Sequence, residues 1–160
     1  MNNHQFLPAA QVEWIGTSPG NRQPIEPRDE VTVAIGTGVD GDHHSKKKPG
    51  GDRQVTLIQA EHFAVIAATT GRDSICPELF RRNIVVRGIE LASLIGHRFR
   101  IGEALLEGTG PCTPCSRMDE NLGEGGRLAM QGLGGLTARV IQPGRIRLGD
   151  SLHGDHQPDR

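Results

Sequence analysis

Aromatic side chains, lysine and long apolar runs are all scarce in this sequence, and each scarcity removes a class of function. Aromatic residues make up 3% of the 160 residues, which leaves few platforms on which bases could stack. The formal net charge of -1 supplies no pull toward nucleic acid or an anionic membrane, so neither is an expected partner. No stretch reaches the roughly 18 apolar residues of a membrane-crossing helix. The opening MNNHQFLPAAQVEW lacks the basic start and apolar core of a secretion signal, and the expected location is the cytoplasm. With three cysteines in all, thiol chemistry or a metal is a better expectation than a disulfide framework, which normally uses an even number.

Lysine occurs three times, consecutively, at Lys46, Lys47 and Lys48, against 15 arginines. Fixed, bidentate cations therefore dominate, the kind suited to phosphate and carboxylate. The motifs of several enzyme classes are missing too: there is no GxSxG, no GxxxxGK[ST] and no HExxH. The glycines of 123–135 do not follow a strand in the way a dinucleotide fingerprint requires.

What is abundant is glycine, 22 residues, with 10 prolines. They cut the chain into short pieces, most of them β-branched or alternating in polarity, which predicts short strands. These fall at 12–15, 31–35, 54–58, 84–87, 98–101, 103–107, 136–141 and 145–148, with VIQPGRIRLGD read as a hairpin about Pro143 and Gly144. Helices are predicted at 61–69, ending before Gly71, and at 115–122, opening after Pro114 and ending at Gly123. Such a pattern belongs to a mostly β fold, a barrel or strongly curved sheet with a few short helices. One domain over residues 1–152 is expected, with 153–160 a disordered tail. Residues 36–52 read as a long, hydrated loop.

Three stretches carry possible chemistry. In GPCTPCSRM, Cys112 and Cys115 stand three apart. A zinc site would need two more ligands, for instance Cys76 and a histidine; a thioredoxin-like pair would need a βαβ setting. Alternatively, Cys115 at a helix start near Arg117 favours the thiolate, a soft ligand for a metal such as molybdenum or copper; or both cysteines are small buried apolar residues. In FRRNIVV, the guanidiniums of Arg81 and Arg82 and the amide of Asn83 can hold a phosphate and a heterocycle's polar edge, or simply decorate a strand edge. In GVDGDHHSKKKPGGDRQ, Asp40, Asp42, His43, His44 and Arg53 could serve a metal or an anion, although neighbours in sequence rarely converge on one centre.

The order of VDGDHH, GDRQVTLIQAEH, FRRNIVVRGIEL, LIGHRFRIGEALLEGTGPCTPCSRM and MQGLGGLTARVIQPGRIRLGD resembles the MOSC family, the domain named for the C-terminal part of molybdenum-cofactor sulfurase, over nearly the whole chain. The resemblance implies a mostly β, MOSC-type barrel that binds molybdopterin-held molybdenum, with Cys115 of the Pro-Cys-x-x-Met pattern as metal ligand and catalytic residue. It implies Arg81 and Asn83 as cofactor-binding residues, with Asp42, His43 and Arg53 as further pocket residues. The implied activity is reduction of small N-hydroxylated compounds, with electrons from a separate flavin or iron–sulfur protein, since three cysteines cannot hold a four-cysteine cluster. The alternative is a persulfide or cofactor carrier.

Overall fold

The computed structural model describes residues 10–20, 22–46, 49–114 and 117–155. Eleven strands and three short helices occur among them. In chain order these are β1 (Ala10–Thr17), β2 (Glu26–Arg28), β3 (Glu30–Ala34), β4 (Gly38–Val39), β5 (Val55–Gln59), α1 (Glu61–Thr69), β6 (Ile84–Arg87), β7 (Arg98–Ile101), β8 (Ala104–Pro111), α2 (Arg117–Leu122), α3 (Gly126–Ala129), β9 (Leu136–Gln142), β10 (Gly144–Arg147) and β11 (Ser151–Gly154).

Seven strands run in the order β11-β7-β8-β9-β5-β6-β1, and β1 pairs back to β11, closing the sheet into a barrel. Closure removes the free edges that an open sheet would expose. Strand β2 hangs on β1 outside the ring, and β10, β3 and β4 form a second, three-stranded sheet. All pairs are antiparallel except β5 with β6, whose parallel register needs a long crossover. That crossover carries α1 and a single 3-10 turn, Pro77–Phe80.

Alternation along β5 and β6 divides the core in two. Leu57, Ile84 and Val86 point into the barrel and pack with Phe99, Ile101 and Leu106. Their neighbours Ile58 and Val85 point outward, onto Ile66 of α1, Phe80, Met118 and Leu122 of α2, and Met130. A period of two on strands buried on both faces produces this pair of cores. Met118 and Leu122, one helical turn apart, dock α2 onto the outer one.

Several expectations change on contact with the structure. The segment VIQPGRIRLGD is not a hairpin: β9 already has β8 and β5 on its two edges, so β10 has nowhere to pair with it and joins β3 instead. The chain leaves the barrel at Pro143, which has no N–H for a ladder. It passes at Gly144, where a Cβ would come within 2.6 Å of the Glu103 carbonyl. Residues 153 and 154, expected in a disordered tail, continue β11: His153 pairs with Arg100 and Gly154 with Phe99. Residues 156–160 lie outside the described residues. The stretch 36–52 is not simply a hydrated loop, since it holds β4 and a 3-10 turn, His43–Lys46, around the buried Asp42.

Candidate functional site

At one side of the barrel, four chain segments, one of them carrying Arg53 and Thr56 at the entrance to β5, meet around a cavity of about 310 Å³, at the small end of ligand-binding pockets. Of the other three, the first runs from the end of β1 through the turn that carries Asp42. The second enters β6 through Arg81, Arg82 and Asn83, and the third begins α2 with Arg117 and Met118. The cavity thus brings together Asp42, His43, Arg53, Arg81 and Asn83. Cys115 and Ser116 lie outside the described residues; the chain on one side of them, Arg117 and Met118, lines the cavity.

Asp42 is the floor. It is 3% exposed, and both carboxylate oxygens are occupied. Oδ2 accepts from the Ser18 N–H at 3.0 Å and from Asn83 Nδ2 at 2.9 Å. Oδ1 accepts from the His44 N–H at 3.0 Å and lies 2.9 Å from His44 Nδ1. Burial alone would raise the carboxyl's pKa, but the bond from the His44 side chain and the N–H groups of His44 and Ser18 outweigh it. The result is about 2, so the group is a carboxylate throughout the neutral range.

Asn83 holds that floor to the barrel. Besides its bond to Asp42, Nδ2 donates to the Gly16 carbonyl at 3.2 Å, and Oδ1 accepts from the Thr56 N–H and hydroxyl at 3.1 and 3.2 Å. A side-chain amide has two N–H donors and an oxygen that takes two bonds, and all four are spent on β1, β5 and Asp42. Its part in the site is therefore to position the carboxylate.

The two arginines before it diverge. Arg81 adopts a left-handed backbone, φ 58° and ψ 36°, a conformation costing about 1 kcal/mol or more for a residue with a Cβ. That twist sends consecutive side chains to different places. Arg81 crosses the cavity wall to the Gln23 carbonyl at 2.7 Å and the Ser18 hydroxyl at 3.0 Å. Arg82 is 3% exposed and donates to the carbonyls of Gly134 at 2.9 Å, Phe80 at 3.0 Å and Cys112 at 3.4 Å. It ties the cysteine-bearing segment to the start of β6.

Two more features aim that segment. The register of β8 slips between Gly108 and Gly110, a bulge that re-aims a strand end. The Thr109 hydroxyl donates to the Asp52 carbonyl at 2.6 Å, holding the loop of the exposed Arg53 against β8. Cys112 itself is 1% exposed, and its N–H donates to the Gly135 carbonyl at 2.8 Å. Among the described residues, the one group of three close metal-ligating side chains is Asp42, His43 and His44. Neither Cys112 nor Cys76 joins it, and Cys76 is exposed.

Ser18, Ile25, His44, Thr56, Arg117 and Met118 also line the cavity without having been assigned to a pocket from sequence. Ser18 had no motif to mark it; His44 was visible beside Asp42, but the 3-10 turn that swings both His43 and His44 back over one carboxylate was not. Arg53, Arg81, Arg82 and Arg117 line the cavity with a single carboxylate, in a chain of net charge -1, although the Arg82 guanidinium is spent on three carbonyls. Arginines beside a fixed carboxylate are chemically able to hold a polar, anionic molecule.

The described residues form a closed β-barrel with an arginine-lined cavity at its side. The sequence profile of the MOSC domain matches residues 40–153, so the chain belongs to the MOSC domain family, a family associated with the molybdenum cofactor. Its fold is similar to that of the YuaD protein from Bacillus subtilis, with a TM-score of 0.77 and 22% identity, covering 91% of this chain and 94% of that one. It is also similar to YiiM from Geobacillus stearothermophilus, with a TM-score of 0.74 and 22% identity over 92% of this chain and 75% of that one. YiiM from Escherichia coli has a TM-score of 0.69 and 21% identity, over 94% and 72%. No curated protein matches the sequence. None of the described helices is long and apolar enough to cross a membrane.

Proposed function

We propose that this single-domain protein binds molybdopterin-held molybdenum and acts as a cytoplasmic oxidoreductase on small N-hydroxylated compounds, with electrons from a separate flavin or iron–sulfur protein. The observation that carries the reading is the cavity itself: arginine side chains with a buried carboxylate, and in its lining Arg117 and Met118, which follow Cys115 by two and three positions in the sequence. A pterin with a phosphate is an anion with a polar heterocyclic edge. Guanidiniums and a fixed carboxylate match those two features.

In this reading Arg81 and Arg53 bind the phosphate and the pterin edge, while His43 contributes from the same wall. Asn83 acts through Asp42, which it holds in place. Cys115 is the protein's metal ligand, its thiolate favoured by the neighbouring Arg117 and the start of α2. When bound, the cofactor supplies two-electron redox chemistry at the metal. The protein's own contribution is to anchor, to orient and to keep the reacting end of the cavity walled by Met118 and Ile25.

Elemental analysis of protein made in a host that synthesises the cofactor tests this. Near-stoichiometric molybdenum in the native chain, lost in Cys115→Ser and kept in Cys112→Ser, is the expected result. Zinc, or no metal in any of the three, overturns it. A persulfide on Cys115 without molybdenum would instead establish a sulfur carrier.

A further inference from the structure

Reducing an N-hydroxylated compound consumes protons as well as electrons. For a hydroxylamine the N–O bond breaks, two electrons arrive from the flavin or iron–sulfur donor, one proton ends on nitrogen and one on the oxygen, which leaves as water. Few groups in the cavity can give a proton near neutral pH. Arg53, Arg81, Arg82 and Arg117 stay protonated, and Asp42 stays ionised. Ser18 and Thr56 carry only hydroxyls, and Met118, Ile25 and Asn83 have nothing to release. His43 and His44 remain.

We propose that His44 is the proton donor of this site and that Asp42 is its positioning residue. The inference rests on the proposed reduction of N-hydroxylated compounds. Because Asp42 is a carboxylate, it can only accept, so the 2.9 Å contact with His44 Nδ1 is a bond donated by the imidazole. That fixes the tautomer and the ring, and leaves Nε2 as the nitrogen that gains and loses the transferable proton. The carboxylate cannot swing away, because Ser18, Asn83 and the His44 N–H hold it from three sides.

His44 is the better placed of the pair. Its side chain is 32% exposed, so solvent can recharge it, against 15% for His43, whose Nδ1 stands 3.6 Å from the same Oδ1. The two rings lie against each other with centroids 4.0 Å apart. Both carboxylate oxygens are filled by N–H donors, which suits a hydrogen-bonded dyad and leaves no lone pair arranged for a cation. The step follows: with the donor's two electrons, a proton passes from His44 Nε2 to the substrate nitrogen as the N–O bond breaks, the leaving hydroxide takes the second proton from solvent and departs as water, and the imidazole is reprotonated from water.

The test uses molybdenum-loaded protein, an aryl amidoxime as substrate and dithionite-reduced methyl viologen as electron source, with nitrogen-15 spectra of the histidines as an independent readout. His44→Gln is expected to keep its molybdenum and its KM while kcat falls about 10²- to 10⁴-fold, with partial recovery on adding imidazole. The wild-type spectrum is expected to show His44 as the Nδ1–H tautomer, turning into a mixture in Asp42→Asn. Unimpaired kcat in His44→Gln, beside an active wild type, overturns the donor alone. A wild-type His44 carrying its proton on Nε2 overturns the role of Asp42. A molybdenum-loaded wild type that reduces no N-hydroxylated compound overturns the functional reading, and the donor with it.

Discussion

Replacing Asn83 with aspartate would change one N–H₂ for one oxygen and turn the best-connected side chain of the cavity against its neighbour. In the native protein Nδ2 bridges Asp42 Oδ2 at 2.9 Å and the Gly16 carbonyl at 3.2 Å. In Asn83→Asp both donors vanish, and a second carboxylate faces the first. A hydrogen bond to a charged acceptor contributes about 1.5–3 kcal/mol and one to a neutral carbonyl about 1; adding the repulsion gives a loss of about 3–5 kcal/mol at pH 7. For a chain of this length that lowers Tm by about 6–20 °C. The new carboxyl's folded pKa rises above its unfolded value of about 3.9. The deficit therefore shrinks by about 1.4 kcal/mol for each pH unit between the raised pKa and about 3.9, leaving about 1 kcal/mol for the second bond that a single O–H cannot restore. Scanning calorimetry at pH 7, 6 and 5 should show the variant gaining on the wild type as the pH falls. An unchanged Tm at pH 7, or a deficit constant across that range, would refute the argument.

The wild type has its own acid limb. Asp42 is held at about 2 against 3.8 for the free group, so its contribution of about 2 kcal/mol is complete above pH 4 and is lost as the pH falls toward 2; Asp42→Asn should flatten that limb in urea titrations. Arg82→Ala, which strips a donor from the carbonyls of Phe80, Cys112 and Gly134, should cost about 3 kcal/mol or more, read from the urea midpoint. Arg82→Lys, with no planar fork to bridge three acceptors, should recover less than half of that. Two glycines with similar backbones separate strain from crowding. At Gly123 (φ +89°) a Cβ meets nothing within 4 Å, whereas at Gly135 (φ +96°) it runs into the backbone of Leu57. Gly123→Ala should cost about 1–2 kcal/mol, and Gly135→Ala should leave little folded protein, as circular dichroism would show.

Local pattern marked the elements that bury both faces or one clear face. The helix at 61–69 was legible from its alanines and the glycine after it, and each predicted strand has a counterpart. Strands with almost no side-chain signal escaped: β2 is fully exposed Glu-Pro-Arg, β4 is two residues, and β11 is a leucine between polar neighbours. Pairing escaped for a different reason. Pro143-Gly144 has the chemistry of a tight turn, and only the occupancy of both edges of β9 decides that the chain leaves the sheet. Of the residues singled out from the sequence, Asp42, His43, Arg53, Arg81 and Asn83 line one cavity. Division of labour among them did not show. Nothing in the adjacent letters Arg81 and Arg82 says that one faces a ligand cavity while the other clasps three carbonyls, because that depends on a left-handed backbone at Arg81 and on partners up to 52 residues away.

The seam of the barrel has a consequence for how the protein is made. Ala10 pairs with Leu152 and Gln11 with Ser151, joining the first strand to the last across nearly the whole chain. On a ribosome, β1 emerges early and must wait for β11 before the ring can shut. Until then β1 and β7 each present an unpaired edge to their surroundings, the condition under which strands of neighbouring nascent chains join. The cavity residues from Ser18 to Met118 are all synthesised before the closing strand. Conversely, the seam lets the two ends of the ring be linked and a new opening cut in a surface turn such as that at Gly123, where a permuted chain would start with its late pairings already within reach.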